Sequence, residues 1–161
     1  MSLRMLVTSA AACAALMTAG TTKVHADTDA QKLQTVERMI RAWNERDWNR
    51  VFDLFAEDGV LHSVMIEPVK GREAIRKHLQ KLTPDIERIE LKVRNMGIVN
   101  GAVFVERVDD FVFRGRHGAV PVVGVVEVEN GRIREWREYY DRASLLQAMG
   151  LDGDHTDTAK H

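Results

Sequence analysis

Cysteine is almost missing from this chain: Cys13 is the only one in 161 residues. It stands in an N-terminal stretch with the marks of a secretory leader, so the mature protein would have no disulfide and no thiol chemistry. No leucine stands three residues before Cys13, which argues against a lipoprotein acceptor. An excess of one charge is missing too. A formal net charge of −1 gives no electrostatic reason to expect nucleic acid or an anionic membrane as partner. Long apolar runs are limited to Met5–Ala19, which is short for a membrane span. His62, His78 and His117 are scattered without ligand spacing, so no metal site is expected. No internal repeat and no second domain are visible.

What is present begins with that leader. Arg4 gives a short positive start, the apolar run follows, and Val24-His25-Ala26 offers the small residues a signal peptidase reads. Residues 1–26 are therefore expected to be a signal peptide cleaved before Asp27, exporting the protein to the periplasm or the medium. Without Arg4 and Lys23 the chain keeps 21 basic and 24 acidic residues. Residues 27–151 read as one domain, since 45% hydrophobic and 29% charged residues suit a chain with a real core. The polar tail 152–161 is expected to be disordered.

From Ala30 to Glu45 the apolar residues Leu33, Val36, Met39, Ile40 and Trp43 fall at helical spacing. Asp47 can cap a shorter helix through Phe55. A short strand over Gly59–Met65, a proline-containing turn and a third helix over Arg72–Leu82 follow, ending at Pro84. After Pro84 the period becomes alternating. Asn100-Gly101 and Asn130-Gly131 are strong hairpin signals, because both central residues of that turn need positive φ. They join strands near Glu90–Val99, Ala102–Phe113, Ala119–Glu129 and Arg132–Tyr140 into an antiparallel meander, and Asp141 caps a last helix over Arg142–Met149. Helices first and a meander second make the class α+β, with one face of a curved sheet wrapped against helices.

Two strands carry charge where a buried face should be apolar. Val103, Val105, Arg107, Asp109, Phe111 and Phe113 share one side, and Trp136, Glu138 and Tyr140 share another. Counting back from Asn130-Gly131 places Val125 opposite Trp136 and Val123 opposite Glu138. Arg107 then reaches both Asp109 and Glu138, its forked donors matching two carboxylates. The same count at Asn100-Gly101 sets Lys92 and Arg94 beside Asp109 and Arg107, unless a bulge shifts the register. Trp43, Trp48 and His78 read as core, and Arg114–His117 as a solvated hairpin tip.

Two acids on one arginine need not titrate together, so one can hold a proton while the other takes one. Such a site suits an epoxide, whose oxygen must be protonated as water attacks. Ordinary salt bridges on an exposed sheet face would give the same spacing.

The order of elements, with ERDWNRVFDLFAEDGVLH early and a meander late, resembles the cone-shaped, cystatin-like fold of the nuclear transport factor 2-like and SnoaL-like superfamily. ERVDDF followed by VVGVVEVENGRIREWREYYD resembles the limonene-1,2-epoxide hydrolase family. The resemblance implies one-step, cofactor-independent hydrolysis of an epoxide, with Asp109 as acid, Arg107 as clamp and Glu138 as base. Glu138 replaces the family's aspartate. Leu61 and Ser63 fall where the family orients water with a tyrosine and an asparagine. Phe111, Val123, Val125, Trp136 and Tyr140 would line, with Leu61 and Ser63, a pocket for a small apolar or terpenoid-like molecule. The fold also implies a homodimer through the sheet. An isomerase or cyclase with Asp109 as base, and a binding domain without chemistry, stand as alternatives.

Overall fold

The computed structural model describes residues 26–151. The expected leader, apart from Ala26, and the expected tail lie outside the described residues. Thr28 opens α1 (Asp29–Asn44) with a reciprocal cap: its hydroxyl accepts from the Gln31 amide at 3.3 Å, and the Gln31 side chain accepts from the Thr28 amide at 2.8 Å. Val36, Met39 and Ile40 repeat along its buried face. Asp47 caps α2 (Trp48–Leu54) by accepting from the Arg50 amide at 3.1 Å. Phe55, expected in this helix, instead starts β1 (Phe55–Ser63). A two-residue strand, β2 (Val69–Lys70), borders β1 and is too short for any period to announce it. The helix α3 (Arg72–Leu79) stops one turn earlier than its apolar stripe suggests, and a 3-10 turn over Thr83–Asp85 carries Pro84.

The meander consists of β3 (Ile86–Val99), β4 (Ala102–Phe113), β5 (Arg116–Glu129) and β6 (Arg132–Tyr140). Its turns have the expected backbone, with φ of 50° and 80° at Asn100-Gly101 and 52° and 68° at Asn130-Gly131. The third turn, Arg114-Gly115, is built the same way. Asp141 caps α4 (Arg142–Met149), accepting from the Ala143 amide at 3.0 Å and the Ser144 amide at 3.3 Å. The curved, unclosed sheet has the order β2-β1-β6-β5-β4-β3. All neighbours are antiparallel except β1 and β6, which run parallel because the whole meander separates them.

Of the sheet's four register shifts, two set which residues of β3 and β6 face inward beside the acids. Val93 pairs with Arg107 and Asn95 with Glu106, so Arg94 is an extra residue on β3. Ile133 pairs with Val128 and Glu135 with Glu127, so Arg134 is an extra residue on β6. Each bulge reverses the alternation beyond it. The first places Leu91, not Lys92, opposite Asp109. The second places Val126 opposite Trp136 and Gly124 opposite Glu138.

One buried cluster joins α1, α2 and α3 to the sheet through Met39, Phe52, Phe55, Ile75, Val105 and Ile133. A second gathers Phe111, Phe113, Val120 and Val122 beneath α4. Arg107 and Asp109 lie between the two on β4.

Candidate active site

A cavity of about 310 Å³ opens between the helices and the concave side of the sheet. Asp109 and Glu138 reach it from the floor, together with Leu61, Ser63, Phe111, Trp136 and Tyr140. Arg107 lies under them, only 2% exposed. Its Nε donates to Asp109 Oδ1 at 2.7 Å, and its Nη2 donates both to Asp109 Oδ2 at 3.1 Å and to Glu138 Oε1. Trp136 Nε1 donates to the same Glu138 oxygen at 3.0 Å, and the guanidinium lies 5.5 Å from the Trp136 ring centroid. The inner face of the sheet therefore sets one guanidinium between two acids, while Arg142 of α4 also borders the cavity.

Gly124 explains how a guanidinium fits in so packed a layer. A Cβ there would stand 3.0 Å from Arg107 Nη1 and 3.0 Å from Val105 Cγ1. Tyr140 completes the polar wall by donating its hydroxyl proton to Ser63 Oγ at 3.0 Å.

Burial sets Asp109 apart from an ordinary surface carboxylate. It pushes the Asp109 carboxyl above its usual pKa, with the Glu138 charge adding to the rise and Arg107 opposing it. Burial works against the Arg107 charge as well, but Glu138 and Asp109 outweigh it and hold the cation more firmly than in water. Burial raises Tyr140, which stays a phenol. Next along the strand, Asp110 faces outward and shows the surface alternative: Lys92 at 2.9 Å, Arg88 at 2.5 Å and His117 at 3.2 Å surround it and hold its pKa low.

Two expected lining residues are not there. Val123 and Val125 face the convex side, opposite Tyr139 and Arg137, because the bulge at Arg134 moves the register by one. Val120 and Val122 line the cavity in their place. Trp43 and Trp48 pack edge to face at 5.3 Å as core residues, but Trp43 also borders the cavity. His78 likewise reaches the cavity rather than serving packing alone, and burial lowers its pKa, with Lys81 adding to the effect. Leu145, Leu146 and Met149 of α4 close one side, a role no local signal in that short helix reveals. Among the described residues no group of three His, Cys, Asp or Glu side chains gathers as a metal site would need.

A curved, unclosed sheet covered by helices, with a cavity between the layers, defines the nuclear transport factor 2-like and SnoaL-like class. A putative SnoaL-like polyketide cyclase from Shewanella putrefaciens CN-32 shares that fold, with a TM-score of 0.66 at 15% identity over 75% of this chain and 97% of that one. Within the class, residues 30–150 match the limonene-1,2-epoxide hydrolase catalytic domain, and the chain belongs to that family. The epoxide hydrolase EphG of Mycobacterium tuberculosis H37Rv is 27% identical over 114 residues, 71% of this chain and 76% of its own. A solved M. tuberculosis LEH-like epoxide hydrolase superposes with a TM-score of 0.67 at 25% identity, covering 75% of this chain and 90% of that one. The protein is thus an epoxide hydrolase-like enzyme.

Proposed function

We propose that this enzyme adds water to a small apolar or terpenoid-like epoxide in one step, without a cofactor. The observation that carries the reading is a single guanidinium bridging Asp109 and Glu138 at the floor of an apolar cavity. Asp109, whose pKa burial raises, acts as the acid: it gives a proton to the epoxide oxygen as a C–O bond breaks and its electron pair moves to that oxygen. A water lone pair forms the new C–O bond on the far side, and the water proton passes to Glu138. Asp109 ends as carboxylate and Glu138 as acid, and exchange with solvent resets both. Backside attack inverts the attacked carbon.

Limonene oxide is the test substrate. Diol should form with wild type, and Asp109→Asn or Glu138→Gln should each lower kcat by ~10²–10⁴-fold, the usual worth of a positioned acid or base. If wild type makes no diol from limonene oxide or a panel of small epoxides, the assignment fails. Exchange of the proton α to a ketone would then favour the cyclase or isomerase reading, which the SnoaL-like neighbour supports. Arg107 weighs against it, because it donates to both carboxyl groups that this reading would need as base and as enolate donor.

The same proposal includes export and pairing. Asp27, the first residue expected after cleavage, accepts from the Gly131 amide at 3.0 Å, so the folded domain is tied down from that residue onward. N-terminal sequencing of the secreted protein should begin at Asp27. The convex face of the sheet exposes Phe104, Val123 and Tyr139, and a second copy is its proposed occupant.

A further inference from the structure

Resting on the hydrolase reading above, we infer that Ser63, oriented by Tyr140, holds the attacking water against Glu138. The phenol arrives from β6, whereas the family resemblance looked for one at Leu61 on β1. Ser63 pairs directly with Glu138 in the parallel β1–β6 ladder, and both side chains reach the cavity. Tyr140 stands two residues beyond Glu138 on the same face.

Counting donors assigns the roles. The tyrosine spends its one proton on Ser63 Oγ at 3.0 Å. The Ser63 proton meets no acceptor among the described residues, and with one lone pair taken by the phenol it is turned away from Tyr140. Glu138 Oε1 already accepts from Arg107 and Trp136, which leaves Oε2 without a donor among the described residues. A donor and an acceptor thus flank one spot. Water there accepts from Ser63, donates to Glu138 Oε2, and keeps one lone pair for carbon. As the new C–O bond forms, the epoxide C–O pair goes to oxygen with the Asp109 proton, and the water proton goes to Glu138. Leu61, paired with Trp136, offers that water no competing polar partner. Ser63 touches the water, whereas Tyr140 acts through Ser63 and is a positioning residue.

The test compares limonene oxide hydrolysis by wild type, Ser63→Ala, Tyr140→Phe and the double variant, with thermal melts confirming folding. Ser63→Ala should lower kcat by ~10–100-fold with KM little changed, because the lost contact is to water and not to substrate. Tyr140→Phe removes a single oxygen and should give a smaller loss, and the double variant should be no worse than Ser63→Ala. In ¹⁸O-labelled water, wild type should label one carbon of the diol, and Tyr140→Phe should spread the label over both. Unchanged kcat in Tyr140→Phe, or losses that multiply in the double variant, would overturn the inference. Wild type active and Asp109→Asn inactive with Ser63→Ala unimpaired would sink this assignment alone. An inactive wild type sinks the hydrolase reading and this assignment together.

Discussion

The buried charge depends on Gly124. Its absent side chain leaves room between Val105, which is fully buried, and a guanidinium that two carboxylates hold in place. Neither neighbour can yield easily, so Gly124→Ala should displace Arg107 and cost about 1–3 kcal/mol of stability. Epoxide turnover should fall at least ~10-fold, the factor that ~1.4 kcal/mol in the barrier produces. Thermal melts and initial rates check both. Asp109 sets the pH response. Its folded pKa is raised, so kcat/KM should fall on the alkaline side as pH rises through it and the acid is lost. The folded state also binds this proton more tightly than the unfolded chain. Asp109 thus contributes stability that is present below the usual carboxylate range and lost as pH rises through the folded pKa. Asp109→Asn should flatten that part of a denaturant-unfolding series measured against pH. Arg107 and Asp109 were legible in the sequence because the alternation of β4 runs unbroken from Val103 to Phe113. Ser63 and Tyr140 were legible as cavity residues, but their bond was not. It joins strands that no local pattern connects.

Two of the sheet's bulges decide the facing of β3 and β6 beside the acids, and both leave a trace in the sequence that a simple count from the turn overlooks. In β3 the inward apolar residues shift from odd positions, Ile89 and Leu91, to even ones, Met96 and Ile98. In β6 they shift from Ile133 to Trp136. A change of parity with no change of strand is what one inserted residue produces. Regular pairing from Asn130-Gly131 would bring Val123 and Val125 to the cavity; the bulge at Arg134 turns them to the other face. The helix α4 is held by another small residue. A Cβ on Gly118 would come within 2.7 Å of Phe111 and 2.8 Å of Ala148, so bulk there must push the helix off β5. Gly118→Val should therefore raise KM for limonene oxide several-fold, while the Asp109-dependent alkaline limb stays in place. Steady-state kinetics against pH would show both.

The class of the molecule was legible early, because the change from helical to alternating period after Pro84 separates the two layers. What the sequence concealed was the parallel contact of β1 with β6, made between segments more than seventy residues apart. The proposed pairing of two copies belongs at this scale. Wild type should sediment as a dimer, and a Phe104→Glu, Val123→Glu variant as a monomer with its cavity intact. A monomeric wild type would remove the second copy.

That parallel contact also bears on how the enzyme comes to life. Hairpins close within microseconds, so β4, β5 and β6 can bring Arg107, Asp109 and Glu138 together from neighbouring stretches of chain. Ser63 joins only after the long loop from β1 has closed, a step that high contact order makes slow. In a refolding time course, tryptophan burial around Arg107 should therefore precede the recovery of hydrolysis. A chain caught between those moments would hold its acids in place and have nothing to aim the water.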